Sequence, residues 1–204
     1  VIRLLASVPS VVYGLIGVLV LVPFVGNHVI SGSQKASVQS VVQITGAGLA
    51  ITVVILTVMI TPIMVALICE ALASVPGAWR EGAIALGVNP VRAILAVVVR
   101  AARPAIIAAA VLATARALGE AIMISMVSGG NFFAPNLDHG VPVFLVEPLR
   151  TLASTVVEFH EGVGAPALSS TLYAFALLLL FSALALSVAG YLIKLPLRRY
   201  QVRG

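Results

Sequence analysis

Four long apolar runs dominate this chain of 204 residues. They lie at about residues 9–25, 41–69, 104–127 and 166–193. A helix needs roughly 20 apolar residues to cross about 30 Å of hydrocarbon, and these runs are close to that length or longer. None of them shows the period of two that is typical of a membrane β-strand. The sequence therefore predicts an all-α membrane protein, a bundle of four transmembrane helices in one domain.

The basic residues indicate how these helices cross the membrane. Nine of them fall before the first run, between the second and third runs, or after the fourth: Arg3, Arg80, Arg92, Arg100, Arg103, Lys194, Arg198, Arg199 and Arg203. The other connections hold only Lys35 and Arg150 together with most of the acidic residues. Because cytoplasmic connections are rich in lysine and arginine, we expect the first set, including the C-terminus, to face the cytoplasm. The basic residues flank apolar runs, so the net charge of +5 does not indicate nucleic-acid binding.

A charged connection, at about residues 70–103, separates the second and third runs. Its part 81–104 reads EGAIALGVNPVRAILAVVVRAARP. We expect a short helix at 81–86 that Gly87 ends, a second helix from Asn89-Pro90 to about Ala102, and a new span from Pro104. Helices this short are marginal in water, so the connection is predicted to pack against a partner.

The third apolar run contains two charged residues, Arg116 and Glu120. A charge at the bilayer centre costs about 2.5–3.5 kcal/mol, so such residues usually face a polar cavity or each other. At a spacing of four residues the two side chains can pair on one helix face. They are therefore candidates for a solute pathway, for a structural pair, or for both. A stripe of small residues on the same helix predicts close helix packing, within the chain or against a partner: Ala105, Ala109, Ala113, Ala117 and Ala121.

The connection at about 129–165 is predicted to hold a turn-rich loop and a short helix at 143–159, lying at the outer membrane surface. No catalytic set of residues is recognisable. The three histidines lack the spacing of metal ligands, so no metal site is predicted. The sequence contains no phosphate-binding loop of the type GxxxxGK[ST], so any ATP hydrolysis is expected on another chain.

Two parts of the chain resemble a known family. The EGAIALG segment and the following RAARP are similar to the coupling loop of binding-protein-dependent ABC importer permeases, whose pattern is Glu-Ala-Ala, three residues, Gly, nine residues, Ile-x-Leu-Pro. Glu81 and Gly87 match, whereas Gly82 replaces the first alanine, and Val97 and Arg100 replace the isoleucine and the proline. The segments LLASVPSVVYGLIG (4–17) and ARALGEAIMISMVSGGN (115–131) resemble phosphate-specific importer permeases, more closely the PstC-type subunit than its PstA-type partner.

The resemblance implies the type I ABC importer permease fold and a location in the bacterial inner membrane. It implies four kinds of partner besides the lipid bilayer: a homologous second permease, two cytoplasmic ATPases that carry ATP and Mg²⁺, and an extracytoplasmic phosphate-binding protein. This chain itself would need no cofactor. It also implies that two further N-terminal spans are absent from this sequence. The residues expected to couple to the ATPase are Glu81, Gly82, Ala83, Gly87, Asn89, Pro90 and Arg92.

For the solute, the resemblance implies inorganic phosphate. The planar guanidinium of Arg116 suits an oxyanion, and Glu120 would hold that arginine in place and prevent tight trapping of the anion. Three alternatives stay open. The chain could be an importer permease for sulfate, molybdate or another solute, a secondary transporter or channel that works without ATP, or a membrane scaffold that transports nothing.

Overall fold

The computed structural model describes residues 7–30, 44–131 and 140–198, and the side chains of all of these except 162–163 and 194–198. Within this part of the chain the regular structure is helical, and an isolated bridge between Gly129 and Leu149 is the β pairing that occurs. Among the described residues, four helices are long and apolar enough to cross a membrane: Ser10–His28, Leu49–Ala73, Pro90–Leu118 and Pro166–Ile193. The prediction of an all-α membrane protein with four spans is confirmed.

The first span consists of α1 (Ser10–Ile16), a π-helical turn (Gly17–Leu21) and α2 (Val22–His28). The second span is α3 (Leu49–Ala73), followed by the short α4 (Gly77–Ala85). The third consists of α5 (Pro90–Ala93), a π-helical turn (Ile94–Val98) and α6 (Val99–Leu118). The elements after it are α7 (Ile122–Val127), α8 (Val141–Val146), α9 (Leu152–Glu158), a 3₁₀ turn (His160–Gly164) and α10 (Pro166–Arg198).

The third span differs from its prediction at both ends. The helix begins at Pro90, and Pro104 lies inside α6 instead of opening the span. Proline is tolerated inside membrane helices because local adjustments satisfy the freed backbone groups. The helix also ends at Leu118 rather than near Val127. The expected second short helix is thus continuous with the helix of the third span, and residues 74–89 connect the two long helices.

The second span starts later than predicted. Residues 41–43 lie outside the described part, residues 44–48 are not helical, and α3 begins at Leu49. Gly46 has a φ of +103°, which is incompatible with a right-handed helix. The apolar pattern from residue 41 onward therefore overestimates the helix at its N-terminal end.

The helix expected at 143–159 is wrong as one element, because the structure divides it into α8 and α9. Pro148 lies between them and disfavours helical geometry in the residue before it. Glu147 is accordingly extended, with φ −64° and ψ 136°. Thr151 then starts α9 through a reciprocal cap, in which its hydroxyl accepts from the Ser154 amide while the Ser154 hydroxyl accepts from the Thr151 amide.

The chain forms two compact units. In the core unit, which takes in Ser7–Ile60 and Ala117–Phe181, the apolar centre lies between α3 and α7. Gly17 is buried against this centre, and a Cβ there would come within 2.6 Å of Val127 Cγ1. The glycine therefore lets the first span approach α7 closely. The buried members of the centre are Ile51, Ile55, Met59, Met123, Ile124 and Val127.

The loop unit takes in Thr61–Arg116 and the last span from Ser182. Its buried residues are mostly alanines of α6, including Ala105, Ala109 and Ala113 of the small-residue stripe. A Cβ added at Gly190 of α10 would lie 3.4 Å from Val111 Cγ1 of α6. This part of the stripe is thus covered by the chain itself, whereas Ala121 lies beyond the end of α6.

Candidate functional site

The connection between the second and third spans is a helix, a glycine turn and a second helix start. Helix α4 ends at Ala85, and Gly87 follows with a φ of +83°, a left-handed conformation that costs other residues about 1–2 kcal/mol. Asn89 then caps α5, since its side-chain oxygen accepts the Val91 amide at 2.9 Å, and Pro90 occupies the first helical position. The turn at Gly87 and the helix start at Asn89-Pro90 lie where the sequence predicts them. Helix α4, however, begins at Gly77 instead of near Glu81.

This connection and the helix start that follows it expose several large apolar side chains. Leu86 at the turn is 86% exposed, and Val91 and Leu95 are 65% and 64% exposed. Glu81, Gly82 and Arg92 are exposed as well, and nothing lies within 4 Å of a Cβ built on Gly82 or Gly87. Large apolar side chains that are exposed next to charged ones are typical of a docking surface. We call residues 77–95 the docking knob.

Arg116 and Glu120 lie on either side of a helix end. Arg116 is an exposed residue of the last turn of α6, which stops at Leu118. Gly119, Glu120 and Ala121 are not helical, and α7 begins at Ile122. The expectation that both side chains share one face of a continuous helix is therefore wrong. Gly119 is the residue in this stretch that most favours such a break.

Glu120 stands at the beginning of α7. Its Oε1 lies 3.4 Å from the amide nitrogen of Met123, a residue in the first turn of that helix. A carboxylate is favourable there because the first amides of a helix have no partner within the helix. Since Met123, Ile124 and Val127 are all buried in the core unit, Glu120 is attached to a well-packed element.

A second charged group, centred on Arg150, lies in the core unit. Nη2 of Arg150 donates to the Gly130 carbonyl oxygen at 2.6 Å and pairs with Oε2 of Glu158 at 2.9 Å. The guanidinium carbon lies 4.9 Å from the centre of the Phe159 ring, within cation–π range. The Arg150 side chain is only 13% exposed and that of Glu158 28%. The ion pair is therefore largely buried. Dissolved ions screen a buried pair less than they screen a pair at the surface.

The sequence did not indicate this group. Arg150 and Glu158 are eight residues apart with the start of α9 between them, and Gly130 precedes Arg150 by twenty residues. No helical or strand periodicity relates such positions. The local signal that was available is Pro148, which ends α8 and brings Arg150 into the turn before α9.

Comparison with known proteins identifies the class. The family of binding-protein-dependent transport system inner membrane components matches residues 1–194. The chain belongs to this family, whose fold is that of type I ABC importer permeases. It is thus a multi-pass inner-membrane permease component of a binding-protein-dependent ABC transporter.

Three relatives illustrate the similarity. The "Probable ABC transporter permease protein YqgH" of Bacillus subtilis is 42% identical over 135 residues, which are 66% of this chain and 40% of the relative. The "Probable phosphate transport system permease protein PstC" of Methanocaldococcus jannaschii is 30% identical over 192 residues, 92% of this chain and 58% of the relative. The "Phosphate transport system permease protein PstC 1" of Mycobacterium tuberculosis is 32% identical over 164 residues, 77% of this chain and 47% of the relative.

The chain thus spans about half the length of the curated relatives that it matches. No solved structure matches it.

Proposed function

We propose that this chain is a permease subunit of an ATP-driven importer of inorganic phosphate. The observation that carries the proposal is the similarity to relatives named as phosphate permeases, which extends over 92% of the chain in one case and 77% in another. The family match over residues 1–194 includes the four spans and the docking knob, which supports the same function for these parts.

The proposed partners follow from the family and from the exposed surface of the knob. A homologous second permease completes the pathway, and an extracytoplasmic binding protein delivers phosphate. Two cytoplasmic ATPases hold ATP and Mg²⁺, and one of them receives the docking knob. The uncovered apolar side chains of Leu86, Val91 and Leu95 support this contact, since burying such side chains is favourable by about 25 cal/mol per Å². ATP-driven closure of the ATPases would move the knobs together and so change the access of the pathway.

The same proposal gives the helix end near Arg116 a function. Leu118 lies 15 residues after Arg103, which at about 1.5 Å per residue is about 22 Å along the helix. If Arg103 marks the cytoplasmic interface, the break at 119–121 falls within a hydrocarbon layer of about 30 Å. Irregular backbone at that depth is tolerated where it is buried in protein or borders a water-filled cavity. A pathway beside Arg116 and Glu120 satisfies this condition.

In this pathway Arg116 is the anion-recognising residue. Its planar guanidinium stays protonated and can donate paired hydrogen bonds to a phosphate oxyanion. Glu120, four residues further along the chain, adds a negative charge, which would weaken anion binding and let the solute leave. A transport site needs this balance because it must release what it binds.

The experiment that tests the function is reconstitution of the full-length permease with its partner permease and ATPases in lipid vesicles. ATP hydrolysis is measured with extracytoplasmic binding proteins loaded with phosphate, sulfate or molybdate. We expect hydrolysis to rise with the phosphate-loaded protein. Stimulation by a sulfate- or molybdate-loaded protein alone would contradict the choice of solute.

In the same vesicles, Arg116→Gln is expected to lower phosphate uptake by about tenfold or more, the factor that a lost charge-assisted hydrogen bond corresponds to. Arg103→Gln is the matched control, because Arg103 is also exposed on α6 and has no proposed contact with the solute. Uptake at the wild-type rate in Arg116→Gln would remove Arg116 from the pathway.

A second candidate, an importer of another solute such as sulfate or molybdate, is favoured by one observation. The relative with 42% identity carries a name that specifies an ABC transporter permease and no solute. The loaded binding proteins decide between the two candidates. An ATP-independent transporter or channel is a further alternative, and copurification of the permease with an ATPase eliminates it. A scaffold that transports nothing is eliminated by phosphate uptake in the vesicles.

A further inference from the structure

The glycine pair that follows α7 is held by donors from two other segments of the core unit. The carbonyl of Val127 accepts the Gly48 amide at 3.1 Å, and that of Ser128 accepts the Leu149 amide at 2.8 Å. The carbonyl of Gly130 accepts Nη2 of Arg150 at 2.6 Å. These carbonyls lie at or just beyond a helix C-terminus, where the helix itself provides no donor. Arg150 is the side-chain donor among the three.

Core packing of Met123, Ile124 and Val127 holds α7, and the carbonyl contacts fix the turn at its C-terminal end. A helix of six residues is too short to be stable through its own hydrogen bonds. Gly129 and Gly130 after it have φ values of +85° and +67°, and glycine allows many other conformations at no steric cost. Contacts with neighbouring residues are therefore needed to fix the backbone conformation of this turn. On the other side, Glu120 contacts the first turn of the same helix through the Met123 amide.

We propose that Arg150 is a positioning residue of the transporter. Its guanidinium, oriented by Glu158 and by the ring of Phe159, fixes the Gly129-Gly130 turn and through α7 the alignment of Glu120. Glu158 neutralises the arginine in its partly buried place and restricts its rotation, so that Nη2 points at the Gly130 oxygen. We call Arg150, Glu158 and Phe159 together with the Gly130 carbonyl the arginine clamp. Its role in transport rests on the proposed function, whereas its effect on α7 does not.

The first test measures amide hydrogen exchange by mass spectrometry on the full-length permease in its assembled complex. In Arg150→Gln the amides of 122–131 are expected to exchange roughly tenfold faster, because a charge-assisted hydrogen bond to a backbone carbonyl is lost. Glu158→Gln is expected to show a smaller change in the same segment. Glu161→Gln, which removes an exposed carboxylate three residues further on, is the matched control and should leave the exchange unchanged. Faster exchange confined to residues 140–161 would overturn the proposal, since the clamp would then hold only its own segment.

A double variant separates the ion pair from the hydrogen bond. Arg150→Glu combined with Glu158→Arg keeps two opposite charges but leaves no donor at position 150 for the Gly130 carbonyl. We expect the 122–131 segment to exchange as fast as in Arg150→Gln. Protection at the wild-type level in the double variant would show that the ion pair alone matters, and the proposed contact with Gly130 would be refuted.

Phosphate uptake in vesicles links the clamp to transport. Arg150→Gln is expected to lower uptake about tenfold at an unchanged amount of assembled complex, whereas Glu161→Gln keeps the wild-type rate. Loosened α7 amides with normal uptake would overturn the role in positioning Glu120. If the wild-type complex itself imports no phosphate, the proposed function fails, while the exchange measurements still decide whether the clamp fixes α7.

Discussion

At the scale of single residues, Gly26 and Gly46 allow two backbone segments of the core unit to approach each other closely. A Cβ on Gly46 would fall 2.7 Å from the Gly26 amide nitrogen, and Gly46 has a φ of +103°. Neither a side chain nor a helical conformation fits this place. The glycines therefore fix where the backbone before α3 passes the end of the first span.

Gly46→Ala is expected to destabilise the protein by about 2–4 kcal/mol, combining strain in the left-handed conformation with overpacking. The measurement is the thermal unfolding midpoint of the purified permease in detergent. Gly82→Ala is the control, because its Cβ meets nothing within 4 Å and alanine favours a helix over glycine by up to about 1 kcal/mol. Equal losses of stability in the two variants would contradict the role of the Gly46 contact.

At the scale of elements, the sequence predicted which segments are helical better than it predicted where each helix begins and ends. The Gly87 turn and the Asn89 cap follow from local chemistry that tertiary contacts do not override. Apolar content alone could not locate the end of α6, because residues on both sides of Gly119 are equally apolar. Pro104 and Pro148 had opposite effects, one lying inside a helix and the other ending one. The sequence alone does not reveal which prolines are accommodated, since neighbouring helices decide this.

The docking knob allows a prediction about coupling. Gly87→Ala introduces about 1–2 kcal/mol of strain at the turn, although a Cβ there meets nothing within 4 Å. We expect the permease to fold and assemble, and the stimulation of ATP hydrolysis by loaded binding protein to fall several-fold because the knob changes shape.

The matched control for this coupling prediction is Gly164→Ala, whose Cβ also has open space and which lies outside the knob. The ratio of stimulated to basal ATP hydrolysis is the quantity to compare. An unchanged ratio in Gly87→Ala would indicate that the turn does not transmit closure.

At the scale of the whole molecule, the strongest prediction concerns the sides of the membrane. Composition and run length predicted four spans, and the part of the chain that the structure describes has four helices that are long and apolar enough. Arginine placement adds an orientation, in which the docking knob and the 140–165 segment lie on opposite sides because one span separates them. Phosphate import with cytoplasmic ATPases requires this arrangement.

Thiol labelling tests the orientation directly. Cys69 is the single cysteine of this 204-residue sequence and is exposed, so Cys69→Ser removes the thiol that would compete for the label within these residues. Ala85→Cys in the knob and Glu161→Cys in the 140–165 segment are then added one at a time, both at exposed positions. A membrane-impermeant maleimide should label Ala85→Cys only in inside-out vesicles and Glu161→Cys only in right-side-out vesicles. Labelling of both from the same side would mean that the third span does not cross, and reversed labelling would place the knob where no cytoplasmic ATPase can reach it.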